Sequence, residues 1–140
     1  MGLFFVLRSF AQQPVEWSFF SKKISDGQYE IHLIATIDKG WYIFSQSSSK
    51  NESSPTEIKV QSARELKTSK AFTEMGNLIR KKDMVQNVKK EFYENQVDFV
   101  QVVSLQGNNK TKFDGTISFV ATNGAQSLPK TTVSFSLQLN

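Results

Sequence analysis

Apolar side chains recur at every second residue through most of this chain, a period that favours extended strands with one buried face. The clearest case is the C-terminal run, where Val133, Phe135, Leu137 and Leu139 alternate with serine and glutamine. Tyr29, Ile31, Leu33, Ala35 and Ile37 keep the same period, and Val15, Trp17 and Phe19 precede them. Asp26 and Gly27 supply a tight turn between these runs, and Asp38, Lys39 and Gly40 turn the chain into the apolar segment Trp41 to Phe44, which together predict a hairpin meander. Ser45 to Ser54 is too polar to bury a face and reads as a surface loop, after which Pro55 opens a short strand from Thr56 to Gln61. Ser62 to Val88 has no sustained period and is expected to be an irregular excursion carrying short strands. Val97, Phe99 and Val103, interleaved with Val100 and Val102, predict a central strand that is apolar on both faces. A turn at Gly107, Asn108 and Asn109 leads to a strand through Ile117, Phe119 and Ala121. Seven to nine short strands, with turn signals about 8 to 12 residues apart, predict an all-β, immunoglobulin-like antiparallel β-sandwich. A small closed barrel is the alternative, since alternation does not fix closure.

Composition then narrows the chemistry. The chain of 140 residues suffices for one domain, and it contains no cysteine, which excludes disulfides, thiolate nucleophiles and cysteine-ligated metal sites. His32 is the single histidine, so histidine-pair metal sites are excluded as well, and neither metal nor cofactor is expected. The net charge of +4 and pI near 9.3 raise the question of an anionic partner. Arg80, Lys81 and Lys82 form the densest basic run, but Asp83 follows them, and Lys89 and Lys90 are followed by Glu91. This reads as a solvated face rather than a nucleic-acid surface. Residues 1–11 read as the tail of a secretory signal, with Ser9 and Ala11 at cleavage-site spacing, or as an ordinary apolar first segment; 12–140 is then the domain. No later stretch approaches the roughly 20 apolar residues of a membrane-spanning helix.

Several residues invite a sharper reading. His32 alternates onto the face of Glu30, Ile34 and Thr36, where a half-exposed, inert sheet position is expected. Asp26, Asp38 and Asp114 each neighbour a glycine, which points to turn chemistry rather than paired acid catalysis. Trp41 and Ile43 alternate with Tyr42 and Phe44, so the second pair either packs or offers an aromatic docking surface. The sequons at Asn51 and Asn109 are assigned no role.

Three features in order resemble the periplasmic N-terminal domain of DsbD: the Pro14-Val15-Glu16-Trp17 opening, the Ser25-Asp26-Gly27 turn, and Gly40-Trp41-Tyr42-Ile43-Phe44-Ser45-Gln46. Phe119 through Phe135 extends the likeness, Phe92, Val97, Phe99 and Gln101 fit the family's later strand, and Ser62 to Val88 fits poorly. The resemblance implies an immunoglobulin-like domain with two cysteines on a hairpin near the C-terminus. In the family these pass electrons from a membrane partner to exported thioredoxin-fold proteins. The family's run of cysteine, four residues, cysteine and Leu/Tyr-Pro corresponds here to Thr122-Asn123-Gly124-Ala125-Gln126-Ser127-Leu128-Pro129. Thr122 and Ser127 thus stand where the thiols belong, and a hydroxyl has neither the acidity nor the disulfide state that electron transfer needs. As nucleophiles they would need a base and an oxyanion hole, and the one histidine is on another strand. Asn123 and Gly124 are expected at positive-φ turn positions. Phe72 is the candidate for the family's aromatic cap.

The expectation is a non-catalytic, periplasmic or otherwise exported protein-interaction module. Tyr42, Phe44, Gln46, Asn123, Leu128 and Pro129 form the candidate partner surface, and an exported thioredoxin-fold protein or a membrane redox protein is the candidate partner. A sandwich that binds carbohydrate or another small ligand is one alternative, and a structural module that oligomerises through a strand edge is another.

Overall fold

The alternating runs become long strands, and the polar stretches between them contribute several short ones. The structure, a computed structural model, describes residues 13–139 apart from 51–52, 62, 69–70, 84–87 and 108. The stretch read as a signal remnant, Asn51 of the first sequon and Asn108 of the expected turn lie outside the described residues. In chain order the strands are β1 (Val15–Ser25), β2 (Gln28–Ile37), β3 (Tyr42–Phe44), β4 (Glu57–Val60), β5 (Leu66–Thr68) and β6 (Thr73–Gly76). There follow β7 (Ile79–Asp83), β8 (Val88–Tyr93), β9 (Gln96–Leu105), β10 (Thr111–Phe119), β11 (Ala121–Thr122) and β12 (Thr131–Leu139). Among the described residues there are thus twelve strands where seven to nine were expected. The difference lies mainly in pieces of two to four residues, too short for a period to register.

All pairings are antiparallel. The first sheet runs β1-β2-β9, with β5 and β6 side by side on the far edge of β9; the second runs β12-β10-β4 and the third β11-β3-β8-β7. Only Val120 separates β10 from β11, so the second and third sheets adjoin. The chain is an immunoglobulin-like β-sandwich, as the alternation predicts. Its sheets are open, with β1 and the β5/β6 pair at the edges of the first, so the barrel alternative does not hold among the described residues.

Register explains the core. Val15, Trp17 and Phe19 stand opposite Ile37, Ala35 and Leu33, and Leu33 stands opposite Phe99, which puts one continuous apolar face on the inside of the first sheet. Trp17 crosses the interlayer space to Phe119 (ring centroids 5.5 Å apart), and Phe19 does so to Phe135 (5.6 Å). Ile31, Leu33, Phe99, Phe113 and Ile117 are fully enclosed, and truncating any of them to alanine removes contacts worth about 2–5 kcal/mol. Gly115 permits the closest approach: a Cβ there would lie 2.4 Å from the Lys59 carbonyl oxygen and 2.5 Å from the Phe135 ring.

Four expectations are corrected here. The meander stops after β2, because β3 pairs with β8 and β11 in the third sheet, so the turn at Asp38–Gly40 is a crossing between layers. β9 is central by pairing, but its second face is open: Val102 is 41% exposed and Val100 is half-buried. Asp114 is not at a turn but within β10, where it accepts a hydrogen bond from Ser136 Oγ. The serine-rich run is not a solvated loop, since Ser45 and Ser48 are buried. The Glu74 carboxylate accepts from Ser45 Oγ, and the Glu91 N–H donates to Ser48 Oγ, which makes this possible.

Candidate functional site

The turn between β11 and β12 is closed by its own side chains. Thr122 and Ser127 form an antiparallel bridge, and Leu128 N–H donates to the Ala121 carbonyl at 2.9 Å. Thr122 Oγ1 accepts from Ser127 Oγ at 2.9 Å and from Gly124 N–H at 3.2 Å, and donates to the Gln126 carbonyl at 3.1 Å. One donor and two acceptors exhaust that hydroxyl. Asn123 does not take positive φ; its Oδ1 accepts from the N–H groups of Ala125 (3.0 Å) and Gln126 (2.7 Å), an Asx turn, and Gly124 alone supplies the left-handed position, at φ +93°. Thr122 is 5% exposed, whereas Ser127 is open to solvent.

β11 pairs with β3, Thr122 opposite Tyr42, so the hairpin is continuous with the aromatic strand. Tyr42 is half-buried, with its ring 4.3 Å from that of Phe92 and edge-on to that of Phe44. Phe44 is only 6% exposed and serves as a floor rather than as docking surface, because its register against Phe92 places it inside an aromatic row. Beside the hairpin lies a hollow of about 450 Å³ whose walls include Tyr42, Thr122, Ser127, Leu128, Lys90 and Lys130. Asn123 and Pro129 are exposed but are not among its walls.

Gln46 and Phe72 lie elsewhere. Gln46 Nε2 donates to Glu74 Oε2 (2.9 Å) and to the Phe72 carbonyl (3.2 Å), so its amide is spent on holding the fold. Phe72 does not line the hollow beside the hairpin; it is 8% exposed and belongs to the core cluster, drawn inward just ahead of β6. The cap assignment is thereby corrected: an aromatic ring with an inward path gains more from burial than from covering a turn that already satisfies itself.

Glu74 and Glu91 organise the serine segment. Glu74 accepts from Ser45 Oγ (2.7 Å), Gln46 N–H (2.8 Å) and Tyr93 OH (2.7 Å), and burial together with this carboxylate pushes the Tyr93 phenol well above its ordinary range. Glu91, 3% exposed, accepts from Ser47 Oγ at 2.6 Å and from Arg80 Nε at 3.0 Å, with Lys89 Nζ 3.3 Å away. The Ser47 bond, aided by the two cations and opposed by burial, holds its carboxyl below the usual carboxylate range.

His32 lies on the outer face of the first sheet, its ring stacked on Phe20, with Nδ1 2.7 Å from Asp98 and Nε2 2.8 Å from Glu30. Burial lowers its pKa, but the bonds to both carboxylates outweigh burial and hold the imidazole above its ordinary value. Both ring nitrogens are engaged there, so neither is offered to Ser127.

Sequence reasoning missed Lys90 and Lys130 as walls of the hollow, and it took the basic runs as diffuse. β7 and β8 fold those runs against each other, Lys81 opposite Lys90 and Lys82 opposite Lys89. The signal available was the pair of lysine runs flanking the short segment 84–87, a spacing compatible with a hairpin.

By sequence the chain matches no family model and no curated protein. By structure it resembles the N-terminal periplasmic domain of ScsB from Proteus mirabilis, with a TM-score of 0.59 and 15% identity, covering 91% of this chain and 47% of that one. It resembles the Neisseria meningitidis DsbD N-terminal domain in the reduced form with a TM-score of 0.50 and 13% identity, covering 87% of this chain and 85% of that one. The yeast GGA1 GAE domain reaches a TM-score of 0.50 at 11% identity, over 93% of this chain and 95% of that one. The chain spans about half the length of the ScsB structure. At these identities the likeness is one of fold, and the fold of this chain is that of the DsbD and ScsB N-terminal domains.

Proposed function

We propose that this chain is an exported, non-catalytic DsbD-like domain that docks a protein partner through the β11–β12 hairpin and the hollow beside it. The observation that carries the reading is the bridge between Thr122 and Ser127, whose hydroxyls lie 2.9 Å apart where the resembled family keeps its two cysteines. A site built on that hairpin without sulfur recognises a partner but transfers no electrons to it. The periplasmic origin of the ScsB neighbour supports export, and an exported thioredoxin-fold protein or a membrane redox protein is the partner of choice.

The test is capture of exported thioredoxin-fold proteins by the immobilised chain, compared with Tyr42→Ala and Ser127→Tyr variants that alter the hollow and the turn. Enrichment by the wild type and its loss in both variants is the expected result; equal recovery on all three surfaces sinks the reading. The carbohydrate alternative is the weaker one, because the burial of Phe44 leaves Tyr42 as the sole accessible aromatic among the residues lining the hollow.

A further inference from the structure

We infer that the β7–β8 ribbon and the adjoining hollow select an acidic segment of the partner, an inference that rests on the docking reading above. Residues 79–93 hold five basic and two acidic residues. Pairing sets Lys81 directly opposite Lys90 and Lys82 directly opposite Lys89. Like charges facing across an antiparallel pair destabilise it, so two such pairs in succession oppose the folding of this ribbon. An anion laid across the Lys81–Lys90 pair converts its repulsion into attraction.

The two faces of the ribbon differ. On the inner face Glu91 takes up Arg80 and Lys89. On the outer face Lys81 lies over the Phe92 ring, its Nζ 5.9 Å from the centroid, and Lys90 makes no ion pair among the described residues. Lys90 also lines the hollow, together with Lys130 and the hydroxyl-bearing residues Ser53, Ser54, Thr122 and Ser127. Lys130 reaches Glu57 at 3.2 Å, an exposed pair that an incoming carboxylate can replace at little cost. Two ammonium groups at a hollow of about 450 Å³ suit carboxylate side chains, with the partly apolar Tyr42 and Leu128 against their stems.

The experiment follows the binding of a fluorescent oligoglutamate peptide to the whole chain by anisotropy at low ionic strength, with oligolysine and phosphatidylglycerol vesicles as further arms. A Lys81→Gln/Lys90→Gln variant is compared with Lys22→Gln/Lys23→Gln, which removes the same charge from β1. The expected result is a loss of about tenfold in affinity with the first variant alone and a fall in affinity with added salt. Equal losses in both variants mean that net charge alone attracts the peptide, and overturn the inference, as does tighter binding to vesicles than to peptide. Chemical-shift mapping on the wild type keeps the test decisive if the ribbon variant fails to fold: shifts must concentrate in 79–83, 88–92 and 122–130, and shifts spread over other strands overturn the site. Oligoglutamate binding at the ribbon without capture of any thioredoxin-fold protein refutes the docking reading and leaves the anion site standing. Capture that survives in the ribbon variant does the reverse.

Discussion

Replacing Thr122 and Ser127 together by cysteine should produce a disulfide that forms without rearrangement of the fold. Their hydroxyl oxygens already lie 2.9 Å apart across an antiparallel bridge, so their side chains converge as a disulfide requires. Closing a loop of six residues, 122–127, restricts the unfolded chain by about 2 kcal/mol. Against this, the variant loses the Thr122 bonds to the Gln126 carbonyl, the Gly124 N–H and the Ser127 hydroxyl, at about 1 kcal/mol each. The reduced variant should therefore unfold about 3 kcal/mol more easily than the wild type, and oxidation should bring it back to within about 1 kcal/mol. Urea unfolding of the oxidised and reduced forms, with thiol counting before each, reads both quantities. If both thiols stay fully reactive after the folded protein is equilibrated with glutathione disulfide, the two positions do not face each other and the match to the family's cysteine hairpin is wrong.

Four other perturbations test separate parts of the fold. Gly115→Ala should destabilise by about 1–3 kcal/mol in urea, because its Cβ would meet backbone at 2.4 Å; a neutral result would mean that β4 and β10 are further apart. Stability should fall as acid protonates Glu91: a carboxyl held below its usual range contributes above its unfolded pKa of about 4.3, and the contribution disappears as pH drops through the folded value. Glu91→Gln should flatten that dependence between neutral and acid unfolding midpoints. His32, held above its ordinary value, contributes below about pH 6.5 and loses the contribution as pH rises through the folded value, so its NMR titration midpoint should exceed about 6.5 and drop in Asp98→Asn. Lys82→Glu should stabilise by roughly 0.2–1 kcal/mol by facing Lys89 with an opposite charge, and unchanged urea midpoints would show that the pair is too screened to matter.

The strands that sequence reveals are those whose burial is apolar and local. β2 and β12 have alternation strong enough to fix their inner faces without any partner, and Tyr29 to Ile37 are buried in the positions the period assigns. β8 escapes because one of its buried positions is Glu91, whose burial depends on Ser47 and Arg80 from other elements as well as on its strand neighbour Lys89. The serine segment escapes for the complementary reason: Ser45 and Ser48 can be drawn in only because Glu74 accepts the Ser45 hydroxyl and the Glu91 N–H donates to Ser48 Oγ, partners from distant parts of the chain. The hairpin was legible because spacing and turn residues are contiguous. The lysines of the hollow were not, since Lys90 and Lys130 meet there through pairings about 40 residues apart in sequence.

Hydrogen bonds hold the hairpin at the two positions where the resemblance places the family's cysteines. A disulfide holds a turn by a covalent link whose integrity follows the redox state of its surroundings. Here Thr122 holds the turn by three hydrogen bonds, and Asn123 adds two to backbone N–H groups that would otherwise need water. Each is worth about 1 kcal/mol net, so together they match or exceed the roughly 2 kcal/mol that a link across so short a loop supplies. The geometry is therefore held under oxidising and reducing conditions alike, and Ser127, exposed at the bridge, presents a fixed hydroxyl and no thiol. A surface of that kind suits constitutive recognition, and its affinity for a partner should not change when dithiothreitol is added; a reductant-dependent affinity of the isolated pair would place the switch on the partner, the only member able to carry a thiol.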